Sequence, residues 1–355
     1  MKTRALKNYG ASVGLEVYDI DLNSDEEILE LGRLVAEQNI VFCDQKIEPK
    51  RLYDIQMKWG NPSVALLHRY ILEGKISGRH WREIFRLLGV FGKQWGKDMG
   101  LSATYVSMNK DEKGNSIGIF DKGELTWHSD QCAIDDGPRM IGLQSAAYSE
   151  GSQTAFLCTH DAYESLSSDM RSMVDELVCV HKWRNNVMAP DLDQMQTLVI
   201  HYNMVPMDGL ETRLKTESAA GLSGIKFPAH SFDYFKGMSR AESQKVLIEL
   251  HKAVYQDKYV YTHDWKDGQI VWMDQEITLH MRPTKVLPGS KRSMVRIISY
   301  LDKLYPTKGL IDFVKLDGKK VSHDEFAVMV DQERKKFFEE EQQGGYASTV
   351  EPFAY

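Results

Sequence analysis

Short runs with strand character lie on both sides of helical stretches in this 355-residue chain, and the two kinds do not alternate regularly. That order disfavours a parallel sheet of βαβ units. It predicts a mainly β, jelly-roll-like double sheet with helical insertions. The strand runs are Leu15–Ile20, Ile40–Cys43, Tyr105–Met108, Ile117–Phe120, Met140–Ser145 and Thr154–Cys158, followed later by Lys258–Thr262, Gln269–Met273 and Arg292–Leu301. Ser24-Asp-Glu-Glu27 is a capping box opening an amphipathic helix with Ile28, Leu31, Leu34 and Val35 on one face, and Ser239-Arg-Ala-Glu242 opens a second helix running to about Val254. Ser168–Leu177 reads as a further helix, and Leu52–Gly100 is mainly helical.

Nothing in composition cuts the chain: there is no internal repeat, low-complexity tract or Pro/Gly/Ser linker. The expectation is one elaborated domain over residues 1–305 with a helical insertion near 63–100. Residues 188–237 sustain no period and read as a long active-site cover, and 306–355 form a C-terminal extension whose charged helix frays into a polar tail. The basic, aromatic stretch Arg79–Lys97 reads first as a packed helix with a solvated face, and second as a lid or a contact within a homo-oligomer.

With 44 Lys+Arg against 51 Asp+Glu the net charge is −7, which argues against a nucleic-acid partner because that binding rests on neutralised phosphates. No apolar run approaches the roughly 20 residues needed to span a bilayer, and Met1–Gly10 has no apolar signal core, so a cytoplasmic protein without a membrane partner is expected. Cys43, Cys132, Cys158 and Cys179 form no C-x-x-C pair and read as reduced, packed thiols.

The sequence has no phosphate-binding G-x-x-x-x-G-K-[ST], no G-x-G-x-x-G after a strand, no G-x-S-x-G and no H-E-x-x-H. It does have Leu125-Thr-Trp-His128-Ser-Asp130. On an extended strand, residues i and i+2 share a face, so His128 and Asp130 can grip one ion. Far downstream, Gly268-Gln-Ile-Val-Trp-Met-Asp274 precedes Thr278-Leu-His280. Two imidazoles and one carboxylate are the facial set of non-haem Fe(II) oxygenases, although zinc in a hydrolase or lyase accepts the same ligands. Trp127 reads as packing, and His68, His80, His160 and His263 as satisfied or exposed imidazoles.

Arg292-Ser-Met-Val-Arg296 places both arginines on one strand face, about 13 Å apart at roughly 3.3 Å per residue. Met294 and Ile298 share that face, which marks it as buried. Two cations there call for anionic partners, and an arginine fork suits the free end of a dicarboxylate whose other end chelates iron.

These residues resemble the TauD/TfdA family, the taurine and 2,4-dichlorophenoxyacetate dioxygenases, which use Fe(II) and 2-oxoglutarate on a double-stranded β-helix. The resemblance runs from Gly10 to about Tyr300. It rests on Gly10–Leu22, Ile40–Pro49, Trp59-Gly60, Gly123–Asp130, Gly137-Pro138 and Gly151-Ser-Gln-Thr-Ala-Phe156. It implies a cupin-like core in which His128, Asp130 and His280 bind iron, while Thr154 and Arg292 hold the far carboxylate of 2-oxoglutarate. Arg296 matches a position that in some members binds the acidic group of the primary substrate; bracing of the C1 carboxylate of 2-oxoglutarate or of a neighbouring acid is the alternative. The paired glycine usual before the threonine reads Gly151-Ser152 here, and the helical insertion and C-terminal extension exceed the compact family pattern.

The implied reaction consumes O2 and 2-oxoglutarate, abstracts hydrogen from an unactivated C–H bond of a small anionic substrate, and releases succinate and CO2. Hydroxylation is the usual outcome; desaturation and ring closure are the others. The rival readings are a metal-dependent hydrolase or lyase and a non-catalytic binding module.

Overall fold

The computed structural model describes residues 1–7, 9–63, 81–87, 99, 102–107, 109, 125–133, 135, 137–182, 209–227, 231–283, 291–307, 313–316 and 318–343. The expected strand Ile117–Phe120, most of the helical insertion, the first part of the expected cover, His68 and His80 lie outside these residues.

In chain order the strands are β1 (Lys2–Ala5), β2 (Leu15–Tyr18), β3 (Ile40–Cys43), β4 (Ala103–Ser107), β5 (Leu125–His128), β6 (Arg139–Ala147), β7 (Gln153–Cys158), β8 (Val178–His181), β9 (Glu211–Arg213), β10 (Lys215–Glu217), β11 (Ser223–Ile225), β12 (Phe232–Phe235), β13 (Val260–Asp264), β14 (Ile270–Asp274), β15 (Thr278–Arg282), β16 (Ser293–Tyr300), β17 (Phe313–Leu316) and β18 (Lys319–Ser322). A seven-stranded sheet runs β1-β2-β3-β14-β6-β16-β4, and a four-stranded sheet runs β13-β7-β15-β5. All pairs in both are antiparallel except β2 with β3. This is the double sheet of a jelly roll.

The large sheet is covered by α1 (Asp25–Glu37) and α2 (Pro49–Trp59). Ile28, Leu31, Val35, Leu52, Ile55 and Trp59 pack there against Val295, Ile297, Ile270 and Trp272. On β16 the alternate residues Arg296 and Ile298 sit opposite Leu143 and Ile141 of β6 and turn to the space between the sheets. A strand buried on both faces explains why apolar side chains (Met294, Val295, Ile297 and Ile298) stand on both sides of Arg296.

At the end of α2 the chain passes so close to β16 that a Cβ on Gly60 would lie 2.0 Å from the Tyr300 carbonyl oxygen. Ser24 caps α1 by accepting from the Glu27 backbone N–H, but the Glu27 carboxylate accepts from the Asp21 N–H, so only half of that predicted box forms. The full box forms at Ser239 and Glu242, opening α6 (Arg240–Val254).

Behind the small sheet, α4 (Thr159–Glu164), α5 (Ser168–Glu176) and α6 close a second core in which Leu157 and Leu279 meet Tyr163, Val174, Leu250 and Val254. The described part of 188–237 is not irregular: β9 and β12 flank β8, and β10 pairs with β11. Strands of three or four residues are too short to display a period in sequence. α3 (Trp81–Leu87), within the helical insertion, packs on α7 (His323–Gln342) of the extension through Trp81, Phe85 and Phe326, with Arg82 on Glu333 at 3.0 Å and Arg86 on Glu340 at 2.8 Å. Among the described residues, these parts of the two additions thus pack on each other. Among the described residues no helix is long and apolar enough to cross a membrane, and the four cysteines are buried thiols.

Candidate active site between the two sheets

β15 and β5 pair so that His280 lies directly opposite His128, with ring centroids 4.2 Å apart. Asp130 follows two residues beyond His128. One ligand atom from each of these three buried residues falls within 4.8 Å of the others, a spacing that one metal ion can bridge. The Thr126 carbonyl lies 2.7 Å from His128 Nδ1, and a carbonyl only accepts, so Nδ1 carries the proton and Nε2 keeps its lone pair. Burial pushes the His128 pKa down, which favours the neutral, metal-ligating form. Asp130 Oδ2 accepts from Arg296 Nη1 at 2.6 Å, and Oδ1 lies 3.7 Å from His128 Nε2.

The loop carrying Asp130 is fixed by its neighbours. Gln275, in the turn between β14 and β15, donates through Nε2 to the Asp130 carbonyl at 3.0 Å, while its own carbonyl accepts from Ser129 Oγ. Gln131 turns the chain with φ +56°, an uncommon value for a residue with a Cβ, and its Oε1 accepts from Ser63 and Arg139. Beneath this turn Lys226 and Glu276 form a buried pair at 2.6 Å, and Asp274, desolvated and beside Glu276, has its pKa pushed up to about 8.

His128 and His280 open onto a cavity whose polar lining also includes Thr154, Arg282, Arg292 and Arg296. Its apolar lining includes Leu125 and Met281 from the small sheet and Val106, Ile141, Leu143 and Met273 from the large one. His128, His280, Thr154, Arg292 and Arg296 thus line one space, and Asp130 is held beside it by Arg296. Arg292 lies just before β16, its Nε donating to Ser152 Oγ at 3.2 Å; burial and the charge of Arg282 lower its pKa to about 10. Thr154 Oγ1 accepts from the Trp265 indole at 2.8 Å.

Arg296 spans Asp130 and Thr104, so it touches a neighbouring acid as well as lining the cavity. Trp127 stacks on Tyr255, His160 meets the Ser223 carbonyl, and His263 sits between Tyr261 and Gln269, all in packing roles. Sequence reasoning missed Arg282, Ser152 and Trp265. Arg282 was accessible from the period of two that starts at His280; the other two act by contacts across strands that no spacing reveals.

The family model for the taurine catabolism dioxygenase TauD, TfdA family matches residues 2–298. The chain belongs to the TauD/TfdA family. As a TauD/TfdA protein it is an Fe(II)- and 2-oxoglutarate-dependent dioxygenase, an oxidoreductase acting on a small molecule with O2. It is 25% identical to pentalenolactone F synthase of Streptomyces arenae over 209 residues, 56% of this chain and 69% of that one. With the alpha-ketoglutarate-dependent 2,4-dichlorophenoxyacetate dioxygenase of Cupriavidus pinatubonensis it shares 26% identity over 287 residues, 74% of this chain and 86% of that one. A taurine dioxygenase from Burkholderia xenovorans has the same fold, with a TM-score of 0.58 and 17% identity over 90% of this chain and 94% of that one. The double-stranded β-helix predicted for this TauD/TfdA chain is the fold it has.

Proposed function

We propose that this TauD/TfdA dioxygenase oxidises an unactivated C–H bond of a small anionic substrate, carboxylate- or amino-acid-like, most simply by hydroxylation. In this reading His128, Asp130 and His280 hold Fe(II), and Thr154 with Arg292 hold the far carboxylate of 2-oxoglutarate. When bound, iron and 2-oxoglutarate supply the O2 activation and the hydrogen abstraction, with release of succinate and CO2. The donor set fits: two imidazoles and one carboxylate are the ligands that non-haem Fe(II) takes, and His128 and His280 would present it to the cavity that Thr154 and Arg292 also line.

The observation that carries the reading is a cavity lined by His128, His280, Thr154 and Arg292, with Asp130 completing a set of three metal-ligand atoms that lie within 4.8 Å of one another. Val106, Ile141, Leu143 and Met273 give it an apolar wall, and a charge beside apolar surface interacts more strongly than one in water. Arg296 holds Asp130 and, in this proposal, also meets the acidic group of the substrate. The relatives are named for pentalenolactone F and 2,4-dichlorophenoxyacetate, so ring-bearing carboxylates belong in a substrate panel beside amino acids and sulfonates.

The test is a screen of such acids, each paired with its methyl ester or amide, for O2-dependent succinate release, with products weighed by mass spectrometry. Turnover of an acid but not its neutral partner, with gain of one oxygen, is expected. Loss of two hydrogens instead identifies desaturation or ring closure. Equal turnover of acid and ester overturns the anionic assignment.

A further inference from the structure

Three hydrogen bonds around the cavity have no part in that function. The Trp265 indole N–H donates to Thr154 Oγ1 at 2.8 Å, and the Ser152 hydroxyl both donates to the Ser149 carbonyl at 2.6 Å and accepts from Arg292 Nε at 3.2 Å. We infer that Trp265 is a positioning residue for the cosubstrate: by filling the acceptor side of Thr154 Oγ1 it directs the Thr154 hydroxyl proton into the cavity, toward the far carboxylate of 2-oxoglutarate. This rests on the assignment of that carboxylate to Thr154 and Arg292.

A threonine hydroxyl has one proton and two lone pairs. An indole N–H only donates, so the proton of Thr154 cannot point at Trp265. Thr154 lines the cavity, and among the described residues its hydroxyl makes no other hydrogen bond. The proton therefore belongs to a guest.

The indole is held so that it cannot turn away. Trp265 is 1% exposed, and its backbone N–H donates to the Ser152 carbonyl at 3.0 Å. The His263 ring meets it edge-on with centroids 4.5 Å apart, and His263 is itself fixed between Tyr261 and Gln269. His263 stands opposite Thr154 in the β13–β7 register, so the same short stretch supplies the indole and the brace behind it.

Ser152 does for Arg292 what Trp265 does for Thr154. Its proton is spent on Ser149, which leaves an oxygen that anchors the guanidinium by Nε. Both supports leave the cavity edge with proton donors, a lining that suits an anion and rejects a neutral end group. Ser152 replaces the second glycine usual at this point in the family, so this anchor is a feature of this chain.

The test is anaerobic titration of the Fe(II)-loaded enzyme with 2-oxoglutarate and with 2-oxopentanoate, which lacks the far carboxylate, following the visible charge-transfer band. Trp265→Phe should weaken 2-oxoglutarate about three- to tenfold, the range of one hydrogen bond, and leave 2-oxopentanoate within twofold of wild type. In a Thr154→Val background the same substitution should change 2-oxoglutarate affinity less than twofold, because its effect passes through Thr154. Equal weakening of both oxo acids, or a full additive loss in the Thr154→Val background, overturns the inference.

A second measurement does not need Trp265→Phe to fold. Among the seven tryptophan indole N–H resonances of 15N-labelled protein, one should move upfield in Thr154→Val; no movement overturns the contact. Wild-type enzyme that binds Fe(II) but not 2-oxoglutarate defeats the underlying assignment as well, whereas normal wild-type binding with an unaffected Trp265→Phe defeats only the role of Trp265.

Discussion

Arg296 Nη1 donates to Asp130 Oδ2 at 2.6 Å, and both side chains are largely withdrawn from solvent. One oxygen of the carboxylate is thereby committed, and Oδ1 is the one turned to His128. Arg296→Ala leaves the carboxylate unbraced, and loss of such an outer partner costs metal affinity about 10- to 100-fold. Anaerobic Fe(II) titration of Arg296→Ala checks this, with Arg296→Lys expected to recover part of the loss. Unchanged Fe(II) affinity would confine Arg296 to the substrate.

Arg292→Ala should raise the 2-oxoglutarate requirement strongly, because an unpartnered buried carboxylate costs several kcal/mol. Arg292→Lys should rescue it only in part, since a point charge does not reproduce the planar fork. Steady-state KM for 2-oxoglutarate in both variants is the measurement, and an unchanged KM in Arg292→Ala removes the residue from the cosubstrate end.

Asp274 gives the protein a pH signature. Its pKa rises from the ordinary 3.8 to about 8 through burial and the neighbouring Glu276. An acid that holds its proton more tightly folded than unfolded stabilises the fold most in acid, and that contribution is lost as pH climbs from about 4 through 8. Asp274→Asn removes the titrating group, so its stability relative to wild type should increase with pH between 5 and 8, by at most about 1.4 kcal/mol per pH unit. Urea unfolding at each pH reads the difference; parallel curves would contradict the assignment.

Gly60→Ala tests the close approach of α2 to β16. The added carbon would lie 2.0 Å from a backbone oxygen, which no rotamer relieves. A loss of about 1–3 kcal/mol, the cost of overpacking a tight site, should appear as a lower Tm with little change in turnover per folded molecule.

Much of this was legible in the sequence where one residue's neighbours along the chain decide its environment. Ser239 and Glu242 announce α6, and the period of two on Met294, Arg296 and Ile298 announces the buried inner face of β16. His128 ends β5 and Asp130 follows two residues on in the turn, so the pair was visible in one short run. What escaped depends on contacts across strands. Bracing of an acid by Arg296 was one of its readings, but that the acid is Asp130, beyond the end of β5 in the other sheet, was not, and the supports of Thr154 and Arg292 are Trp265 and Ser152. The short strands β9 to β12 carry too few residues to show a period, so the cover expected at 188–237 hid a small sheet.

The most direct measurement is an anaerobic titration of wild-type, His128→Ala and His280→Ala protein with Fe(II) and 2-oxoglutarate, read by the visible charge-transfer band and by circular dichroism. The account predicts the band in wild type, its loss in both variants, and an unchanged fold in all three. Full iron affinity together with full turnover in both variants would contradict it.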